Sequence, residues 1–171
     1  GDVYKRQIQG IEPPLSLSAY KLIAFDMDST LINIECVDEI ADAAGRKAEV
    51  AAITEAAMQG VITDYKESLR QRVALLKGVT VQHMEQVFTE RLRFNPGAKE
   101  LITAAKAAGL TTLLVSGGFT FFADRVKAGL GIDFARSNML EVQDGQLTGR
   151  MVDQAWGCLL YTSPSPRDKR Q

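Results

Sequence analysis

Phe25-Asp26-Met27-Asp28-Ser29-Thr30 stands directly behind the short apolar run that begins at Lys21-Leu-Ile-Ala. A run of that length, rich in apolar and aromatic residues, suits a buried strand. Ligands of open parallel sheets gather at the carboxyl ends of the strands. The polar residues behind Phe25 therefore sit where chemistry is expected. Asp26 and Asp28, two positions apart, face one site if the chain turns there. One carboxylate could attack phosphorus to give an acyl phosphate. The other could protonate the leaving oxygen and later take a proton from water. A carboxylate attacks an anionic phosphate poorly unless charge is neutralised, which a Mg²⁺ ion with oxygen ligands does. The same residues also read as a plain Asp-rich turn, because Asp-x-Asp pairs are common.

A second strand ends in the same manner. Leu110-Thr-Thr-Leu-Leu-Val115 is followed by Ser116-Gly117-Gly118, which reads as a tight turn into a helix from Phe119 to Leu130. A hydroxyl and backbone N–H groups at a helix start make a phosphate cradle. Ser116 supplies the hydroxyl, and Gly117 lets the backbone approach closely. A lone Ser-Gly-Gly also reads as a connection that needs glycine for its geometry. Two such motifs at the ends of successive core strands point together to a phosphoryl group.

Between them the pattern is helical. Val37, Ile40, Ala41 and Ala44 recur at helical spacing up to Gly45, and a second helix runs from about Arg46 to Met58. Asp64 reads as the N-cap of a third helix reaching Lys77. Thr80 reads as the cap of a fourth, with Met84, Val87, Phe88 and Arg91 on one face. Pro96-Gly97 then opens a helix to Ala108, and Asn138 to Thr148 reads as a β-hairpin around Asp144-Gly145. One strand, four helices and then resumed β/α alternation describe an α/β fold. Its parallel sheet is interrupted by a helical insert.

The 171 residues suffice for one ordinary domain with a small insert, and 46% hydrophobic with 24% charged residues is the balance of a globular protein. No apolar run approaches the roughly 20 residues that span a bilayer, and no signal segment is seen. A net charge of -1 with scattered Lys and Arg argues against a nucleic-acid surface. Gly1–Gln7 and Cys158–Gln171 fit no element. Asp2–Gln7 and Cys158–Tyr161 are encodable by one DNA segment read on opposite strands, the pattern of library-adapter sequence, and are set aside. Cys36 is then the only cysteine, so a reducing cytoplasm is the expected location. His83 is expected at the surface.

The two strand-end motifs resemble those of the haloacid-dehalogenase-like phosphohydrolases. Phe25-Asp-Met-Asp-Ser-Thr-Leu31 is similar to that family's first motif and Leu114-Val-Ser-Gly-Gly-Phe119 to its second. The insert resembles its α-helical cap. Within the family, the chain looks most like the phosphoserine phosphatase branch. The residues that carry this are Glu35, Val37-Asp-Glu-Ile-Ala41, Glu55-Ala-Ala-Met58, Ser68-Leu-Arg-Gln-Arg-Val73 and Asp144-Gly-Gln-Leu-Thr-Gly149. Residues 8–20, with Pro13-Pro14 and several serines, read as a linker. The resemblance implies a Rossmann-like core over 21–33 and 92–157 and a cap over 34–91. It implies Asp26 as nucleophile and Mg²⁺ ligand. Asp28 becomes the general acid and base, with its carbonyl on the metal, and Ser116 and Gly117 become phosphoryl-binding groups. Glu35 and Arg72 would read the ammonium and carboxylate of O-phosphoserine, with Met58 and Tyr65 lining the substrate pocket. Taken without the resemblance, Glu35 is a first-turn helix charge and Arg72 a solvated one.

Two of the family's motifs, a downstream lysine and a Gly-Asp-Gly-x-Asn-Asp loop, are not found between Ile8 and Gly157. Lys169 lies in the second tail. The expectation is a core that lacks its C-terminal part and a chain that, as it stands, turns over little or no substrate. Other readings are a phosphatase or phosphotransferase of the same superfamily, a phosphate-binding module, and a cloning fragment.

Overall fold

The computed structural model describes residues 16–59 and 64–152; both tails and most of the segment 8–20 lie outside these residues. Of that segment, Leu17–Ala19 forms a single helical turn capped by Ser16. Strand β1 (Leu22–Phe25) pairs in parallel with β2 (Thr111–Phe119), and β2 pairs in parallel with β3 (Phe134–Gln143). Strand β4 (Gln146–Val152) runs antiparallel to β3, giving the order β1-β2-β3-β4. Asp144 and Gly145 both adopt positive φ, 50° and 75°, as a two-residue turn matching strand twist requires.

Four helices follow β1 before the chain reaches α5 (Ala98–Ala107) and β2: α1 (Cys36–Ala43), α2 (Lys47–Met58), α3 (Tyr65–Ala74) and α4 (Val81–Gln86). Helix α1 buries Cys36, Val37, Ile40 and Ala41, one apolar stripe at helical spacing. The side chain of Asp64 accepts the Lys66 N–H at 2.9 Å as the cap of α3. Thr80 caps α4 as the sequence suggests, but its reciprocal partner is His83. Thr80 Oγ1 accepts the His83 N–H, and His83 Nδ1 accepts the Thr80 N–H, both at 3.2 Å. The imidazole acts where a Glu or Gln usually closes such a box. The expected regular fourth helix instead widens into a π-turn over Val87–Arg91, closed by Leu92 N–H to Val87 O at 3.1 Å. That turn delivers Arg91 to Glu39 of α1, 2.7 Å away.

The passages into and out of the helices are stitched to each other. Ile32 and Phe94 form an antiparallel bridge, and Asn95 Nδ2 donates to the carbonyls of Thr30 and Ile32 at 2.8 and 3.0 Å. The helices are also tied to the hairpin. Gly78 N–H donates to Leu147 O, and Leu147 N–H donates to Val79 O, both at 2.8 Å.

Helices α5 (Ala98–Ala107) and α6 (Thr120–Leu130) contact β2 and each other, so they share one sheet face. Thr112 and Leu114 are fully buried. The register aligns Leu22 with Thr111, and Ala24 with Leu113 and Phe134, on the opposite face. Leu22 and Phe134 are each 52% exposed there, although parallel sheets are ordinarily covered on both faces.

Two expectations are corrected. Ser116–Gly118 is not a tight turn into a helix: β2 continues through Phe119, and α6 begins at Thr120. Strand β3 begins at Phe134, four residues before the expected hairpin, because its first half pairs with β2 rather than β4.

Asp133 clamps the crossover from α6 into β3. It accepts the Thr112 N–H at 2.9 Å and the Thr112 hydroxyl at 2.8 Å, and pairs with Lys106 at 2.9 Å. The Thr112 N–H first, then Lys106 and the Thr112 hydroxyl, lower its carboxyl from 3.8 to about 2. A lowered folded-state pKa stabilises the fold above the unfolded value and loses that contribution as pH falls through the folded one. Thermal melts followed by circular dichroism should show wild type falling more steeply than Asp133→Asn between about pH 4 and 2, the window set by 3.8 and about 2. Parallel curves would remove Asp133 from the acid response.

Candidate active site

The turn behind β1 is built around Met27, which is fully buried. Its carbonyl receives the N–H groups of Thr30, Leu31 and Ile32 at 3.2, 3.0 and 3.2 Å. Folding three donors onto one acceptor reverses the chain and leaves Asp26 and Asp28 at the strand end. Ser29 lies in the left-handed region with φ 52°, a conformation that costs energy in a residue other than glycine. Its N–H donates to Ile34 O at 3.1 Å and its hydroxyl to Glu35 Oε1 at 2.6 Å.

Asp26 is exposed, and its Oδ1 accepts the Met27 N–H at 2.8 Å. That bond fixes the carboxylate and leaves its second oxygen for chemistry. Asp28 is more enclosed. Its Oδ1 is buried without a hydrogen-bond partner among the described residues. Burial pushes the carboxyl up to about 6; the Cys36 thiol acts the other way, and the Glu35 and Asp26 carboxylates add to the rise. Such a group still holds a proton in mildly acidic solution, as a general acid must. Burial likewise pushes the Cys36 thiol up, and Asp28 beside it adds to the effect.

The second motif meets the first through glycine. A Cβ on Gly118 would stand 2.8 Å from Asp28 Oδ2 and 3.0 Å from Ser116 Oγ. Ser116 is 5% exposed, and its Oγ accepts the Gly118 N–H at 2.9 Å. With its lone pair engaged there, the hydroxyl proton remains to be donated to a ligand oxygen. Gly117 is half-buried, and its carbonyl accepts Asn138 Nδ2 at 2.8 Å.

Glu35 precedes α1 and is exposed. Arg72 lies in the last turn of α3 and is half-buried. The two meet electrostatically at Asp38: burial raises its carboxyl, Arg72 lowers it and Glu35 raises it. Met58 ends α2 and Tyr65 begins α3. Their side chains lie outside what the structure describes. The site thus gathers Asp26 and Asp28 behind β1 with Ser116 inside β2, and Glu35 is linked to the β1 turn through Ser29.

Residue reading of the sequence missed Ser29, Cys36, Gly118 and Asn138 as parts of this site. Gly118 had a signal in the doubled glycine, whereas Asn138 had none.

Mg²⁺ favours hard oxygen donors and keeps several waters beside one or two carboxylates. The second oxygen of Asp26 and the buried Oδ1 of Asp28, which has no hydrogen-bond partner among the described residues, are hard oxygen donors of the kind that fits such an ion. Among the described residues no group of three or more His, Cys, Asp or Glu side chains converges. A tetrahedral nitrogen and sulfur site is therefore not present in these residues. No described helix is long and apolar enough to cross a membrane.

Comparison with known proteins identifies the family and the fold. Residues 23–157 match the family model described as haloacid dehalogenase-like hydrolase. The phosphoserine phosphatase of Albidiferax ferrireducens is 74% identical over 150 residues, covering 88% of this chain and 63% of that protein. A solved phospho-aspartyl intermediate analogue of phosphoserine phosphatase superposes with a TM-score of 0.70 at 44% identity, over 77% of this chain and 62% of that one. A substrate-bound phosphoserine phosphatase complex superposes with a TM-score of 0.71, also at 44% identity, over 77% of this chain and 61% of the other. The chain spans about three fifths of the length of these relatives. With a parallel α/β sheet, an Asp-x-Asp turn behind β1 and a Ser-Gly-Gly segment in β2, this chain belongs to the haloacid dehalogenase-like hydrolase family.

Proposed function

We propose that this chain carries the nucleophile half of a Mg²⁺-dependent phosphoserine phosphatase, which releases serine and phosphate through an aspartyl-phosphate. The observation that carries the reading is the meeting of Asp28 and Ser116 at Gly118, beside the outward carboxylate of Asp26. The solved relative described as a phospho-aspartyl intermediate analogue supports an aspartate nucleophile. Mg²⁺, held by the Asp26 carboxylate and the Asp28 carbonyl, would neutralise charge between nucleophile and phosphate.

The free oxygen of Asp26 attacks phosphorus, an O–P bond forms, and the P–O bond to serine breaks. Asp28 donates its proton to the departing serine oxygen. The resulting carboxylate takes a proton from the water that attacks phosphorus, and Asp26 is released with inorganic phosphate. Ser116 and the backbone at Gly117 hold the phosphoryl oxygens. The insert over 34–91 serves as the cap and the residues 21–33 and 92–157 as the core. In the cap, Glu35 takes the substrate ammonium and Arg72 its carboxylate, and Met58 and Tyr65 wall the pocket. The same reading places the reaction in the cytoplasm, in serine formation.

The test is phosphate release from O-phosphoserine with Mg²⁺, measured on this chain and on the chain extended to its relatives' length. Arg72→Ala should raise KM for phosphoserine by roughly 10- to 150-fold, the weight of a charge-assisted hydrogen bond. Hydrolysis of p-nitrophenyl phosphate, which has no amino-acid carboxylate, should change little. Equal loss on both substrates would remove Arg72 from carboxylate recognition. Preference for another phosphomonoester would move the reading to a different capped phosphatase or to a phosphotransferase.

A further inference from the structure

We infer that Asn138, on β3, is the positioning residue that sets the phosphate-binding peptide of Ser116–Gly118; the inference rests on the phosphoryl reading of that segment. The ladder explains why one is needed. Val115 pairs with Arg136 and Phe119 pairs with Asn138, so β2 advances four residues where β3 advances two. The surplus makes a bulge, and Ser116–Gly118 is left out of the ladder. Bulged backbone has free N–H groups to offer a ligand, but nothing in the ladder decides which way each peptide plane faces.

Asn138 supplies that decision. Its Nδ2 donates to the Gly117 carbonyl at 2.8 Å. In a planar trans peptide the carbonyl and the next N–H point in opposite directions. Holding the Gly117 carbonyl toward β3 therefore aims the Gly118 N–H away from β3. In the structure that N–H meets Ser116 Oγ at 2.9 Å, on the side where Asp28 lies. One side-chain amide thus orients both the Gly118 N–H and the Ser116 hydroxyl. Asn138 is itself anchored, because its own carbonyl accepts the Thr120 hydroxyl at 2.9 Å. A flipped peptide would turn a carbonyl toward an anionic phosphoryl group.

The probe is inorganic phosphate, titrated into the ¹⁵N-labelled full chain and followed at the amides of Ser116, Gly117 and Gly118. Wild type should show a scalar coupling across the hydrogen bond from Asn138 Nδ2 to the Gly117 carbonyl. Absence of that coupling in folded wild type overturns the inference whatever the variants do. Asn138→Asp keeps the shape and replaces the donor by an acceptor; Asn138→Ala removes the group without adding charge. Both should weaken phosphate binding by about tenfold, near the upper end for one hydrogen bond. Both should also move the Gly118 amide resonance before phosphate is added. Ser137→Ala is the control, since Ser137 bonds Thr120 Oγ1 at 3.2 Å and not the bulge. Unchanged binding in Asn138→Asp, or equal weakening in Ser137→Ala, would overturn the positioning role while the phosphate reading stands. Failure of phosphate to move the three wild-type amides would sink both.

Discussion

Asp26→Asn is expected to abolish phosphate release from O-phosphoserine in the chain extended to its relatives' length, by roughly four to six orders of magnitude, the scale seen when a nucleophile is removed. An amide oxygen does not form the acyl phosphate. The substitution is nonetheless gentle on structure. Asp26 uses one oxygen to accept the Met27 N–H, and the Asn carbonyl replaces that acceptor with the same reach. Asp26 is also exposed, so the lost charge leaves no buried partner stranded. Folding should be unchanged within about 0.5 kcal/mol, as for an ordinary surface change. The check is twofold: steady-state phosphate release, and acid-quench trapping of labelled phosphoprotein. Residual turnover within tenfold of wild type, or trapped label in Asp26→Asn, would place the nucleophile elsewhere.

What the sequence disclosed follows the range of the forces involved. The strand before Asp26, the caps at Asp64 and Thr80, and the Asp144-Gly145 turn are local features. Each rests on residues a few positions apart, and each appears in the structure, although the strand is half-exposed rather than buried as its apolar run suggests. The sheet could be read as parallel because strands joined by helical crossovers have few other solutions. The misplaced features depend on partners distant in sequence. Ser116-Gly117-Gly118 looks like a turn because glycine and serine favour turns. Only its register against β3 shows that the segment is a bulge inside a strand. The first half of β3 was not legible because Phe134-Ala-Arg-Ser alternates weakly and finds its place by pairing with Leu113–Val115.

The same distinction holds at the site. Asp26 and Asp28 announced themselves by spacing behind an apolar run. Asn138 carries no local signal, since an Asn before a hairpin has many ordinary uses. Its role becomes visible only when its Nδ2 is found 2.8 Å from a carbonyl 21 residues away. Ser29 belongs to the first motif, yet its bond to Glu35 depends on the left-handed backbone that brings its hydroxyl round. Cys36 reads as one more apolar residue of α1, and its influence on Asp28 follows from the close return of the chain after the β1 turn.

In the chain extended to its relatives' length, Gly118→Ala is expected to cost activity about a hundredfold or more while leaving the fold largely intact. The backbone would accept alanine, since Gly118 is not among the glycines with positive φ. The obstacle is space. The added Cβ would stand 2.8 Å from Asp28 Oδ2, 2.9 Å from Met27 Cε and 3.0 Å from Ser116 Oγ. The Met27 methyl is the far end of a flexible side chain and can give way. Asp28 and Ser116 can move only by abandoning the arrangement proposed to hold proton and phosphate. Overpacking of this kind costs about 1–3 kcal/mol in stability, whereas a displacement near 1 Å in a reacting group costs about a hundredfold in rate. The rate should therefore fall further than stability alone explains. Gly129→Ala separates the two effects. Its Cβ would meet Phe94 Cζ at 2.6 Å, tighter still, but against a ring that is 38% exposed and free to swing. That variant should keep its kcat, and thermal melts should show at most a small loss. If both alanines reduce kcat alike, the Gly118 effect is general loosening rather than displacement of Asp28. If Gly118→Ala retains full kcat, the close approach of β2 to the Asp28 carboxylate is not needed for turnover.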